Sequence, residues 1–430
     1  MPIPLGVLAA AGAGGSSGPN FINLLSGSGT ERAFGLALDS SQNIYVAGIS
    51  DSNPNNRMQL QVQKLTSLGQ TTFQKRLENA SNNSYAEDIA VDSSGNFYTA
   101  GYTDANGFDF FITKYNSSGV LQWQRTLGGG TRDDVGYGVA VDSSANVYVT
   151  GYHNNGSTYD WIVAKYNTNG TLQWQRRFGG NGTSHFPYKI AVDSSGASYI
   201  SGYVSTTTED FAVVKYNTSG TYQWGKRLFA TGFDASYGIK VDASGNVYVS
   251  GINAASGLQA IVTAKYNTSG TLQWQREIST GQNLWSRGLA IDSSGACYIF
   301  GNVAAGSFND LFIAKYDTNG TILWQRRLTT SSQMQGMSIA VDNLGDYYAS
   351  GWAVSQSEFF TMKFPADGTK TGTYNLGGLN WVYSASSFTT STSSYSDQTI
   401  SLTDQGGSLT SGTPGWTELN TSLTSSTVNF

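Results

Sequence analysis

The sequence predicts an all-β fold, a seven-bladed β-propeller of four-stranded antiparallel blades, and three observations carry that prediction. The first is composition: 52 Gly, 25 Tyr, 20 Phe and 10 Trp against only 12% charged residues in a chain of 430. Aromatic and β-branched side chains suit pleated, half-buried surfaces, and glycines suit tight turns. The second is a stretch that reads GVAVDSSANVYVTGY at 138–152. Its aspartate recurs as Asp39, Asp92, Asp142, Asp193, Asp242, Asp292 and Asp342, 49 to 53 residues apart. The third is KYNTSGTLQWQR at 265–276, whose lysine recurs as Lys64, Lys114, Lys165, Lys215, Lys265, Lys315 and Lys363. Seven units of about fifty residues match the size and number of propeller blades.

The elements follow in chain order. Residues 1–20, beginning MPIPLGVLAAAGAGG, read as a Gly/Ala-rich leader or docking arm. The apolar stretch 5–11 and the small residues after it have the outline of a secretory leader. Pro2 and Pro4 stand where the basic region belongs, so a retained leader is expected. Residues 21–378 are assigned to the propeller. Within one unit, 137–142 is strand A, Asp-Ser-Ser-Ala-Asn turns the chain, and 147–152 is strand B. Residues 160–166 form strand C, Asn-Thr-Asn-Gly is a hairpin turn, and TLQWQRRF is strand D. Stretches such as 147–149 are apolar on both sides, as a blade packed between two neighbours requires.

Ring closure gives an independent check. Strand D carries an aromatic residue at one place, Phe73, Trp123, Trp174, Trp224, Trp274 and Trp324, but Gly372 holds that place after Lys363. The missing aromatic is Phe21, 18 residues before Asp39 as Trp324 is 18 before Asp342. Residues 21–25 are therefore predicted to supply the outer strand of the last blade and close the ring. These seven aromatics are expected to be packing pegs between blades. Residues 379–430 are Ser/Thr-rich, with Asp397, Asp404 and Glu418 as their only charges. Trp381, Tyr383, Phe388, Trp416 and Phe430 argue against disorder. A small C-terminal β module or assembly tail is expected there.

The two motifs in succession, VDSSGNxYVxG and then KYN-x-x-G-x-x-x-WQ, resemble the β-propeller repeat called SBBP over roughly 21–378. The resemblance implies the seven-bladed fold and no single activity; members are mostly extracellular or surface proteins of unknown role. Separately, MPIPLGVLAAAGAGG resembles the leaders of structural proteins of marine tailed phages, especially phages of cyanobacteria. A Ser/Thr-rich, charge-poor C-terminus is also common in phage fibre and appendage proteins.

Few residues point to catalysis. Cys297 is the only cysteine, so an intrachain disulfide and a Cys-based zinc site are excluded. His153 and His185 lie in predicted loops and lack a third ligand at metal spacing. No Gly-x-Ser-x-Gly elbow, phosphate loop or His-Glu-x-x-His motif is present. Paired acids at Glu87-Asp88, Asp133-Asp134 and Glu209-Asp210 would need a shared cleft to act as a glycosidase pair, and are read as solvated. The recurring aspartates lack the further oxygen ligands of a calcium loop and are read as turn caps. No catalytic residue, metal or cofactor is expected. A net charge of −5 without a Lys/Arg run argues against nucleic acid, and no apolar run approaches the ~18 residues of a membrane-spanning helix.

Thirteen of the 24 Lys and Arg recur at fixed places: the seven strand-C lysines with Lys75, Arg125, Arg176, Lys226, Arg276 and Arg326. Ion pairs with the strand-A aspartates are expected within each blade. Asn169, Asn217, Asn267 and Asn319 open glycosylation-like triplets that are read as turns. The D–A and B–C loops vary instead, and strand alternation puts them on one face, where binding usually resides. Tyr85, Phe186, Phe233, Trp285 and Arg287 are the candidate binding residues there. Tyr137, Tyr188 and Tyr237 share a strand-A position and are assigned to packing.

The expected function is that of a non-enzymatic virion structural or appendage protein of a tailed phage. Its partners would be other virion proteins, further copies of itself, and a host-surface glycan or protein. The alternative is a secreted or surface-attached bacterial propeller that binds glycan or protein.

Overall fold

The computed structural model describes residues 19–429 apart from 53–55, 79–80, 105–106, 129–130, 180–181, 206–207, 230–231, 255–256, 354–357, 377–378, 387, 392–395, 400–402, 407–410, 413–416 and 421–423, with no side chain beyond Phe388. The leader up to residue 18, and Trp416 and Phe430 in the tail, lie outside the described residues. Seven sheets, one per blade, each contain the strands A to D predicted from the repeats. Blade 3 shows the order: Asp134–Val141, Val147–Asn154, Tyr159–Tyr166 and Leu172–Gly179, each antiparallel to the next. Strand A starts three residues before the predicted 137, because a β-bulge at Tyr137 interrupts the side-chain alternation that marks a strand in sequence.

Blade 7 takes its D strand from the other end of the chain. Phe21–Ser26 pairs with Glu358–Phe364, Phe21 opposite Lys363, as the clasp requires. Phe21, Ile22, Leu24 and Leu25 are fully covered. The core is divided into seven clusters, each drawn from two adjacent blades. In one of them Tyr98, Phe110 and Ile112 of blade 2 meet Val139, Val149 and Ile162 of blade 3.

The described strands of 379–430, expected as a β module or assembly tail, are spread around the rim. Leu379–Ala385 pairs with strand D of blade 6, and also forms a hairpin with Gly372–Leu376. Thr389–Ser391 then pairs with blade 5, Ser396–Thr399 with blade 4, Thr403–Gly406 with blade 3, and Ser411–Gly412 with blade 2. Thr417–Asn420 joins blade 1, and Thr424–Asn429 covers Phe21–Ser26 in blade 7. One segment thus adds an outer strand to every blade, leaving strand D of none of them as the sheet edge.

The register of this belt is regular. Tyr383, Thr390, Asp397, Asp404, Ser411, Glu418 and Ser425 lie opposite Leu328, Ile278, Leu228, Phe178, Leu127, Leu77 and Leu25, the same strand-D place in successive blades. They are seven residues apart. The sequence carries the same period in its large apolar residues: Trp381, Phe388, Tyr395, Leu402, Leu409, Trp416 and Leu423. Trp381 is fully buried, its ring 5.6 Å from Phe360, and Phe388 lies 5.0 Å from Phe312. Phe360 and Phe312 hold the same strand-C place, three residues before Lys363 and Lys315. Gln325 accepts from the Phe388 N–H at 3.1 Å and donates to its carbonyl at 2.9 Å.

Candidate functional site

The invariant parts of the repeat hold the scaffold together. Asp142 accepts from the N–H groups of Ser144 and Asn146 at 2.9 Å, and from the Tyr148 hydroxyl at 3.2 Å. Asp39, Asp92, Asp193, Asp242, Asp292 and Asp342 cap their turns in the same way. The pegs act across blade junctions. Trp123, Trp174, Trp224, Trp274 and Trp324 each donate the indole N–H to a carbonyl of the next blade's C–D turn, at 3.0–3.3 Å. The glycine of that turn lies on the ring face, and a Cβ on Gly220 would come 2.6 Å from Trp174. Phe21 and Phe73 meet Gly69 and Gly119 likewise.

The lysines depart from expectation. In-blade pairs form between Lys165 and Asp142 at 3.9 Å and between Lys315 and Asp292 at 3.3 Å. Lys64, Lys114, Lys215 and Lys265 donate instead to carbonyls of the next blade's turn, which lies within reach of the ammonium. All seven ammonium groups sit over a strand-B tyrosine ring, 4.6–5.4 Å from its centroid.

Strand A departs from regularity at one place in every blade. A bulge there removes Phe34, Glu87, Tyr137, Tyr188, Tyr237, Arg287 and Met337 from the ladder. Bulges re-aim side chains. Tyr137 and Tyr188 meet at 5.5 Å, Tyr188 and Tyr237 at 4.7 Å, and the Arg287 guanidinium lies 4.5 Å over Tyr237. The network continues outward through Tyr152 and Phe186 at 5.1 Å, Phe186 and Tyr203 at 5.2 Å, and Tyr203 and Phe233 at 5.5 Å. Every one of these rings is only half-buried, so they form an aromatic floor across blades 3 to 5. Burial raises the Tyr137, Tyr188 and Tyr203 hydroxyls well above their ordinary range, keeping them neutral.

Beside the floor, an axial channel of about 400 Å³ runs between the seven A strands, with Tyr237, Arg287, Asp88, Lys189 and Lys240 among its lining. Lys189 pairs with Asp88 across it at 3.1 Å, and Asp88 also accepts from the Val139 N–H at 3.3 Å. Burial pushes the Glu87 carboxyl up to about 7, against the pull of Lys189 and Arg287.

Of the candidates, Phe186, Phe233 and Arg287 belong to the floor. Tyr85 stacks on Tyr102 at 4.5 Å in a second patch on blade 2. Trp285 is half-buried opposite Asn302 and, among the described residues, has no ring contact. Tyr137, Tyr188 and Tyr237, assigned from sequence to packing, form the inner arc of the floor. Their signal was the diversity of that one place, held by Phe, Glu, Tyr, Arg and Met within the most regular strand. His185 and His153 lie in strands instead of loops. Burial lowers the His185 imidazole to about 4, and His153 Nδ1 lies 2.6 Å from Asp134. Among the described residues no group of three His, Cys, Asp or Glu is placed to hold a metal ion.

The β-propeller repeat SBBP matches residues 73–109, 122–156 and 173–208, each match running from strand D of one blade into the next. The ring thus contains SBBP repeats. No curated protein matches the chain. Solved structures similar to it include Sqt1 from Chaetomium thermophilum, at 9% identity and a TM-score of 0.45 over 80% of this chain and 97% of that one. The periplasmic gluconolactonase PpgL of Pseudomonas aeruginosa matches at 12% identity and 0.46, over 70% and 94%. A puromycin hydrolase matches at 10% and 0.48, over 75% and 50%.

Proposed function

We propose that this chain, whose ring contains SBBP propeller repeats, is a non-enzymatic recognition module that binds a surface glycan through its variable face. The observation that carries the reading is the half-buried aromatic floor beside the mouth of the axial channel. Aromatic rings accept the apolar faces of sugar rings, while tyrosine hydroxyls and a guanidinium at their edge fix the hydroxyl pattern. A rigid scaffold with its variable residues on one face is the usual layout of a binding protein. The leader's resemblance supports a place in the virion of a tailed phage, as an appendage that carries this face towards the host.

Titration of the full chain with host-surface oligosaccharides tests the binding. Phe186→Ala and Tyr203→Ala should each weaken the complex at least ten-fold, with melting of the fold little changed. Saccharide binding that ignores both variants would place the site elsewhere. Mass spectrometry of purified particles tests the setting. Absence from particles, with secreted protein cleaved near residue 13, would favour the bacterial reading, which the apolar stretch 5–11 supports.

A further inference from the structure

The repeat allows each channel position to be compared across seven copies. The place after the bulge holds Gly35, Gly138, Gly238 and Gly288, but also Asp88, Lys189 and Ser338. Two places further on stand Ala37, Ala90, Ala140, Ala191, Ala290 and Ala340, and in blade 5 alone Lys240. Small residues are the rule because the A strands approach closely at the axis. A Cβ on Gly35 would come 2.8 Å from the Ile89 nitrogen. Lysine therefore stands where the scaffold needs nothing larger than alanine. Lys240 makes no hydrogen bond or ion pair with a described residue, while Asp88, the acid near it, is engaged by Lys189. The lining of one cavity thus holds three cations, Lys189, Lys240 and Arg287, and the neutral hydroxyl of Tyr237.

We propose that the axial channel seats the carboxylate of an acidic sugar residue, with Lys240 as its cation and the arc of Tyr137, Tyr188 and Tyr237 beneath the sugar ring. This rests on the glycan reading above and names its substrate class. Lys240 is exposed to the solvent that fills the channel, and the lining sets three cations, Lys189, Lys240 and Arg287, against the one acid Asp88, an excess of positive charge that draws an anion more strongly than a lone surface lysine does. Arg287, fixed over Tyr237, is placed to take a second oxygen of the same ligand.

Calorimetry of the full chain with galacturonate oligomers, galactose oligomers of equal length and inorganic phosphate separates the possibilities. The acidic oligomer is expected to bind at least ten-fold tighter than the neutral one. Lys240→Ala restores the residue of the other six blades, so the fold should be kept, as a melting curve would confirm. In that variant the acidic oligomer should fall to the affinity of the neutral one. Equal affinities in the wild type, or a preference that survives Lys240→Ala, would overturn the assignment. Phosphate binding that is lost with Lys240→Ala, without any preference between oligomers, would make a free anion the ligand and equally overturn it. If neither oligomer binds, the assignment is overturned, and the titration with host-surface oligosaccharides decides the glycan reading separately.

Discussion

Glu87 occupies an environment unlike that of a surface carboxylate. It sits half-buried at the bulge of blade 2, where burial holds its carboxyl at about 7, with Lys189 and Arg287 pulling down and Asp88 pushing up. A carboxyl whose pKa is higher in the folded than in the unfolded chain stabilises the fold below its ordinary value near ~4.3, and loses that contribution as pH rises to its folded value. The fold should therefore become less stable from about pH 4.5 to 7 through this one residue. Glu87→Gln keeps the size and removes the charge, so its melting temperature should fall less over that range than the wild type's. Parallel melting profiles from pH 4.5 to 8 would show that Glu87 is solvated like any surface acid.

At the scale of the element, the C–D hairpin explains why its residues recur together. In blade 4 the turn glycine, Gly220, has φ +74°, and a Cβ there would strike Trp174 of blade 3 at 2.6 Å. Gly257 has φ +81°, and a Cβ would meet nothing within 4 Å. Alanine at either site carries the left-handed penalty of about 1–2 kcal/mol, so their difference isolates the peg. Gly220→Ala should lower the melting temperature clearly more than Gly257→Ala, and equal losses would mean the tryptophan moves aside freely. This hairpin, the capped A–B turn and the Phe21 clasp were legible in the sequence, because repetition repeats the chemistry of each turn. The floor was less legible. A bulge shifts strand alternation by one residue, so Tyr137, Tyr188 and Tyr237 read as inward-packing side chains until the register is known. Phe186, Phe233 and Arg287 were found because they break the repeat, and Lys240 breaks it too, but nothing in one sequence shows that its place faces the axis.

Across the whole molecule two periods coexist, about fifty residues per blade in the ring and seven per blade in the belt around it. Serine and threonine dominate the tail, so its period is carried by one apolar residue in seven and is masked by composition. A strand that must repeat its register on seven edges is sensitive to phase, since a slip of one residue turns its side chains to the opposite face. Deleting Ser394 alone puts the five belt strands that follow it out of phase with their blades. Deleting 394–400 keeps the phase and shifts each later unit to the preceding partner, leaving one edge uncovered. The larger deletion should therefore be the milder one, with more of the tail protected from proteolysis and a higher melting temperature than the single-residue deletion. Removing 379–430 altogether should be worse than either and should promote association through the exposed strand edges, read by light scattering. If the single-residue deletion melts like the wild type, short connections between the blades absorb the slip, and the seven-residue spacing does not set the register of the belt.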